Sequence, residues 1–208
     1  MTAMAADDLD LVALICSRLC HDLAGSIGAV NNGVELLAEE TDPAMREDAI
    51  GLVAQSASDA ARRLGFFRLA LGASGDAAEP MAFGEFSRVA KAYFDGGKLS
   101  LLLPATVGNS LPKPLGKALL LGLSLAAQAL PRGGNLALTQ QDNRWQIRAE
   151  GTTVRWQDSV AAGFGDGALP ADPQAAMARY TKRLAESAGC ALTTGVAENS
   201  VTLGFAPR

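Results

Sequence analysis

Histidine is almost missing from this 208-residue chain, which carries one, His21. Any imidazole chemistry therefore happens there or nowhere. Cysteine is scarce too. Cys16, Cys20 and Cys190 form no C-x-x-C pair, and an odd count gives no disulfide framework, which fits a reducing compartment. No uncharged apolar run reaches the roughly 18 residues of a membrane span, and the start MTAMAADDLD is acidic where a secretory leader is basic. Basic excess is lacking as well. The 18 Lys and Arg stand against 22 Asp and Glu for a formal charge of −4, and they are scattered. Neither a nucleic-acid footprint nor a polybasic membrane patch is expected from them. These absences predict a cytoplasmic protein with no nucleic-acid and no membrane partner.

What is present is core material. Hydrophobic residues make up 49% and charged ones 19%, the balance of a folded chain long enough for two small domains. From Asp7 to Glu39 apolar residues recur at steps of three and four, with Asp7 suited to an N-cap, which predicts one long helix. Glu40-Thr41-Asp42-Pro43 reads as a tight turn, Asp42 capping the next helix and Pro43 at its first position. In that helix Ile50, Val53, Ala57, Ala60, Leu64, Phe67 and Leu71 keep a heptad seam. The first helix has a wider apolar band, with Val12, Ile15, Cys16, Leu19, Leu23, Ile27, Val30, Val34 and Leu37. A hairpin with more apolar surface than it can bury alone predicts a homodimer closed as a four-helix bundle.

Gly72 to Pro80 is small and polar, a linker signature. Beyond it the spacing predicts helices over Phe83–Phe94, Lys113–Leu130 and Pro173–Ala188. Strands are predicted over Lys98–Leu103, Asn135–Thr139, Arg144–Ala149, Ala191–Val196 and Ser200–Phe205. Gly189 is a plausible C-cap, and Gly163-Phe-Gly-Asp-Gly167 reads as a loop of unassigned purpose. The predicted class is α+β. An antiparallel helical hairpin over 1–72 and a linker over 73–81 lead into a two-layer α/β sandwich over 82–208.

Projected at roughly 100° per residue, His21 points away from Val12, Leu19, Leu23, Val30 and Leu37, so its imidazole is expected in solvent. Ser17, Arg18, Gly25, Gly28 and Asn32 share its face. Each glycine inside a helix costs about 1 kcal/mol against alanine. Two of them beside a histidine suggest close approach of a partner backbone or a bulky anion, with Arg18 as a positive neighbour. Imidazole, with a free pKa of about 6.5, is a good nucleophile near neutral pH, and the adjacent Asp22 carboxylate can orient one ring nitrogen. Cys16 and Cys20 read as buried or half-buried small side chains rather than metal ligands, and Trp145 and Trp156 as sheet packing.

The stretch Ser17-Arg-Leu-Cys-His21-Asp-Leu-Ala-Gly-Ser26, continued by Asn31-Asn-Gly33 and Glu35-Leu-Leu37, resembles the H-box of histidine kinases. It is more similar still to the ChpT-type histidine phosphotransferases. That resemblance implies that His21 accepts a phosphoryl group from a receiver-domain aspartate, with Asp22 as its acidic neighbour. Arg18, Ser17, Gly25, Gly28 and Asn32 then lie at the receiver-docking, phosphate-neighbouring surface. The partners it implies are the receiver of a hybrid histidine kinase upstream and response-regulator receivers downstream. Mg²⁺ is expected from the receiver, with no cofactor or metal held by this chain.

The element order after the linker resembles the histidine kinase ATPase domain, yet the nucleotide signatures are poor. Leu121-Gly-Leu-Ser-Leu-Ala-Ala-Gln-Ala-Leu130 carries no asparagine for Mg²⁺ and ATP, and Glu150-Gly151 lacks the second glycine of an adenine-reading loop. Gly163–Gly167 is glycine-rich without a P-loop arrangement. The leading expectation is a phosphotransferase with a degenerate ATPase-like domain that binds no ATP. An active kinase with unusual ATP residues and a non-catalytic dimeric adaptor are the competing readings.

Overall fold

The computed structural model describes residues 6–72, 79–105 and 108–208. Two long helices come first, α1 (Ala6–Glu39) and α2 (Pro43–Leu71). The helix α1 starts one residue before Asp7, so Asp7 lies in the first turn rather than at the cap. Its end is closed by Arg46, whose Nη1 donates to the carbonyls of Leu37 at 2.6 Å and Glu40 at 2.8 Å. Both oxygens lack an intrahelical donor so close to the terminus. Asp42 caps α2 as expected, its Oδ1 accepting from the backbone N–H of Ala44 at 2.8 Å and Met45 at 3.1 Å. The helices approach closely at Gly33, which is buried against Ala49 and Val53.

By length and composition α1 is apolar enough to cross a membrane, with mean hydropathy 1.3 in its most apolar stretch. The high value reflects two apolar stripes on one helix. Leu11 is buried, and Ile15 and Leu19 pack against the core, whereas Leu9, Val12, Ile27 and Val34 are exposed. The α2 seam divides the same way, Phe67 being buried while Ile50 and Leu64 are open.

The remaining elements are β1 (Met81–Ala82), α3 (Phe83–Phe94), β2 (Leu99–Leu102), β3 (Ser110–Leu111), α4 (Lys113–Gln128), β4 (Gly134–Gln141), β5 (Arg144–Glu150), α5 (Asp158–Phe164), α6 (Pro173–Ser187), β6 (Cys190–Ala197) and β7 (Ser200–Pro207). Five strands form one sheet in the order β2-β4-β5-β7-β6, with β2 parallel to β4 and every other pair antiparallel. The alternation of β5 sends Trp145, Ile147 and Ala149 inward, opposite Phe205, Leu203 and Val201 of β7. Helix α4 lies on this face with Leu119, Leu120, Leu121 and Leu123 fully buried. A β-carbon on Gly122 would sit 2.8 Å from Ile147 Cδ1, so glycine sets how near the helix lies to the sheet. The architecture is the α+β arrangement expected, helices followed by a two-layer sandwich.

The β4–β5 turn puts Asp142 and Asn143 at φ 49° and 60°, the signs of a two-residue type I′ hairpin, and Gly189 ends α6 at φ 73°. Three elements escaped the sequence pattern. Met81, assigned there to the linker, belongs to β1, which pairs with β3, and is buried. The linker segment 73–78 lies outside the described residues. Gly163 and Phe164, read as loop, close helix α5, and a β-carbon on Gly163 would collide with the carbonyl of Ala175 on α6. Arg179 of α6 then donates to the carbonyls of Gly163 at 2.8 Å and Gly167 at 2.9 Å, so this segment is stitched to its neighbour.

The hairpin and the sandwich share a core. Phe66, Phe67 and Ala70 of α2 are buried with Phe86 and Val89 of α3 and Leu115 of α4. Tyr93 stacks on Phe66 with ring centroids 3.9 Å apart. On the other side Arg183 of α6 holds Asp8 of α1 at 2.6 Å.

Candidate functional site

The regular turn of α1 carries Arg18 and Asp22 at i and i+4, close enough to pair. Arg18 Nε donates to Asp22 Oδ2 at 2.9 Å, and Asp22 Oδ1 lies 3.2 Å from His21 Nδ1. Burial along this chain of three is uneven: the side chains are 17% exposed at Arg18, 8% at Asp22 and 83% at His21. A carboxylate facing Nδ1 favours the tautomer with the ring proton on that nitrogen, which leaves Nε2 with a lone pair. Among the described residues nothing in this chain bonds Nε2, which is open to an incoming electrophile.

Ser17, Gly25 and Asn32 are exposed along the same helix and Gly28 is half-buried. A β-carbon on Gly25 or Gly28 would meet nothing within 4 Å. Packing inside this chain therefore gives no reason for either glycine. Arg18, expected beside the phosphate, gives its Nε to Asp22. Cys16 and Cys20 are exposed rather than buried. On the wheel of α1 they fall with the stripe that α2 does not cover, which a single copy leaves in water. Burial raises the thiol pKa of Cys190.

The polar side chains at Arg18 and Asp22 form one wall of a cleft of about 440 Å³ between the hairpin and the sandwich. Arg62 and Arg63 of α2 line it, as do Tyr93 and Asp95 at the end of α3 and Gln128 at the end of α4. Arg62 pairs with Asp59 and reaches Asp95 at 3.9 Å, while Arg63 has no ion-pair partner among the described residues. The sequence reading missed these residues. The pair Asp59 and Arg62, three apart on α2, was visible, but only the folded chain brings it across from Arg18 and Asp22 and beside Tyr93 and Gln128. Among the described residues no group of three or more His, Cys, Asp or Glu is placed to hold a metal ion.

A family model described as the histidine phosphotransferase C-terminal domain matches residues 83–200. Protein phosphotransferase ChpT of Brucella abortus (strain 2308) is 38% identical over 188 residues, covering 87% of this chain and 88% of that protein. This chain belongs to the ChpT-type histidine phosphotransferases. A bacterial phosphotransferase solved at 1.7 Å superposes with a TM-score of 0.80 at 34% identity, over 98% of each chain. The ChpT-type activity is phosphotransfer in a phosphorelay. The His21 environment offers such a reaction an exposed imidazole and a ring nitrogen oriented by Asp22, which itself lines the polar cleft.

Proposed function

We propose that His21 is the phosphoacceptor of this ChpT-type enzyme and that it passes the phosphoryl group between receiver-domain aspartates. The observation that carries this reading is the geometry of the sole histidine, fully open at Nε2 and held at Nδ1 by a nearly buried carboxylate. In the forward step the Nε2 lone pair bonds to phosphorus while the P–O bond of the aspartyl phosphate breaks, its electron pair leaving with the receiver carboxylate. The ring becomes cationic, and Asp22 stabilises that charge across the Nδ1–H bond. Reversal onto a second receiver completes the relay.

The receiver lies against α1 over Gly25, Gly28 and Asn32, where the surface is low, with Ser17 at its margin. Hybrid-kinase receivers donate and response-regulator receivers accept. Mg²⁺ comes with the receiver. The enzyme is cytoplasmic and works as a homodimer; the open stripe of Val12, Ile27, Val34, Ile50 and Leu64 on the hairpin supports the dimer.

Phosphotransfer here is independent of ATP. The segment 121–130, which holds the end of helix α4, carries no asparagine. Gly134 packs against the carbonyl of Glu150, and the Gly163–Gly167 segment is tied to α6 by Arg179, with Trp156 stacked on Phe164 at 6.1 Å. These contacts favour a closed, packed surface over a loop that folds across a triphosphate.

The test is incubation of the protein with a labelled phospho-receiver and Mg²⁺, beside His21→Ala. Acid-labile, base-stable label on wild type alone supports the reading. Equal labelling of His21→Ala removes the acceptor assignment, and saturable ATP binding by the same sample removes the ATP independence.

A further inference from the structure

Resting on the acceptor role of His21, we propose that Arg18 is a positioning residue for phosphotransfer, acting on the imidazole through Asp22 rather than on the phosphoryl group. The His21 side chain is 83% exposed, and its only bond to another side chain among the described residues is the 3.2 Å contact from Nδ1 to Asp22 Oδ1. Ring rotation and tautomer are therefore set by one carboxylate. That carboxylate is itself a rotor, fixed only if its second oxygen is held. Arg18 Nε holds it, at 2.9 Å from Oδ2, in a pair that is 17% and 8% exposed.

Low exposure makes this bond firm in a way that a solvated pair on a helix surface is not. Removing one partner would leave the other charge largely out of water. The guanidinium is committed at Nε to Asp22, on the wall of the cleft. Arg63, across that cleft on α2 and without an ion-pair partner among the described residues, is the cation free to meet an incoming anion. Without Arg18 the Asp22 carboxylate turns, and the ring samples the tautomer with its proton on Nε2, which has no lone pair to give to phosphorus.

The test uses the single histidine. Full-length protein labelled with ¹⁵N-histidine gives two ring nitrogen signals from one residue, so the tautomer reads directly with no other histidine to overlap. Wild type at a pH where the ring is neutral should show the proton on Nδ1. Arg18→Gln should move both signals toward the mixed-tautomer average and slow transfer at least about tenfold, as a misplaced reacting group does. In the Asp22→Asn background, adding Arg18→Gln should cost less than about twofold more, the coupling expected of residues in one network.

A mixed tautomer in wild type, or an unmoved one in Arg18→Gln, overturns the proposal without reference to rates. Losses that multiply in the double variant also overturn it, because Arg18 would then act independently of Asp22. Failure of the acceptor assignment is seen separately, as phosphate label surviving His21→Ala.

Discussion

Gly33 and Val53 set the distance between α1 and α2: a β-carbon on Gly33 would lie 2.5 Å from Val53 Cγ2. Gly33→Val forces two β-branched side chains into that space. The hairpin should lose about 1–3 kcal/mol, the usual cost of overpacking a fitted contact, seen as a lower urea midpoint. An unchanged midpoint would mean the helices separate freely.

Gly25→Ala and Gly28→Ala should do the opposite to stability, because a β-carbon there meets nothing within 4 Å. Each should stabilise by up to about 1 kcal/mol through helix propensity. Transfer from a phospho-receiver should nevertheless slow, since the methyl groups lift the partner. Faster or equal transfer in both variants would show that the receiver does not lie over these positions.

The long helices were legible in the sequence because their signals are local, whereas the seven-residue α5 was not. Asp42 and Pro43 announce a helix start, and the steps from Ile50 to Leu71 repeat over about six turns. The β4–β5 hairpin is equally local, its Asp142-Asn143 turn joining two alternating runs. By contrast β1 is two residues long and exists only because Met81 finds Leu111. The residues His21, Asp22 and Arg18 were readable from helical spacing, but the cleft wall was not. Arg62, Tyr93 and Gln128 come from three elements and meet only through the packing of α2 on α3 and α4. Cys16 and Cys20 were misplaced for a related reason. Apolar spacing marks a stripe to be covered without saying whether the same chain covers it.

Charge placed on the open stripe should separate two copies. Val34→Asp with Ile50→Asp puts carboxylates at positions 53% and 57% exposed in one chain, so the fold should survive. Light scattering should give a molar mass halved relative to wild type. A mass that stays at the dimer value would move the dimer contact elsewhere.

Lys117 supplies a pH test. Its Nζ donates to the carbonyl of Gly72 at the end of α2, and burial, followed by repulsion from Lys113, lowers its pKa from 10.5. A cation disfavoured in the folded state binds its proton more readily when unfolded. Stability contributed at this position should therefore rise as pH climbs from the lowered folded value toward 10.5. Urea midpoints of wild type relative to Lys117→Met should increase across that alkaline window. A falling difference would assign the dominant effect to the bond with Gly72.

The burial of Phe66, Phe67 and Ala70 in the core that also holds α3 and α4 leaves no clean place to cut. A fragment ending at Leu71 would expose the aromatic foot of its second helix, and the sandwich alone would expose the surface that foot covers. The part that bears the histidine and the part that shapes its approach are thus inherited as a unit. Exchanging either part between relatives would carry a mismatch into the aromatic contact that joins them, so the two are best varied by substitution within the intact chain.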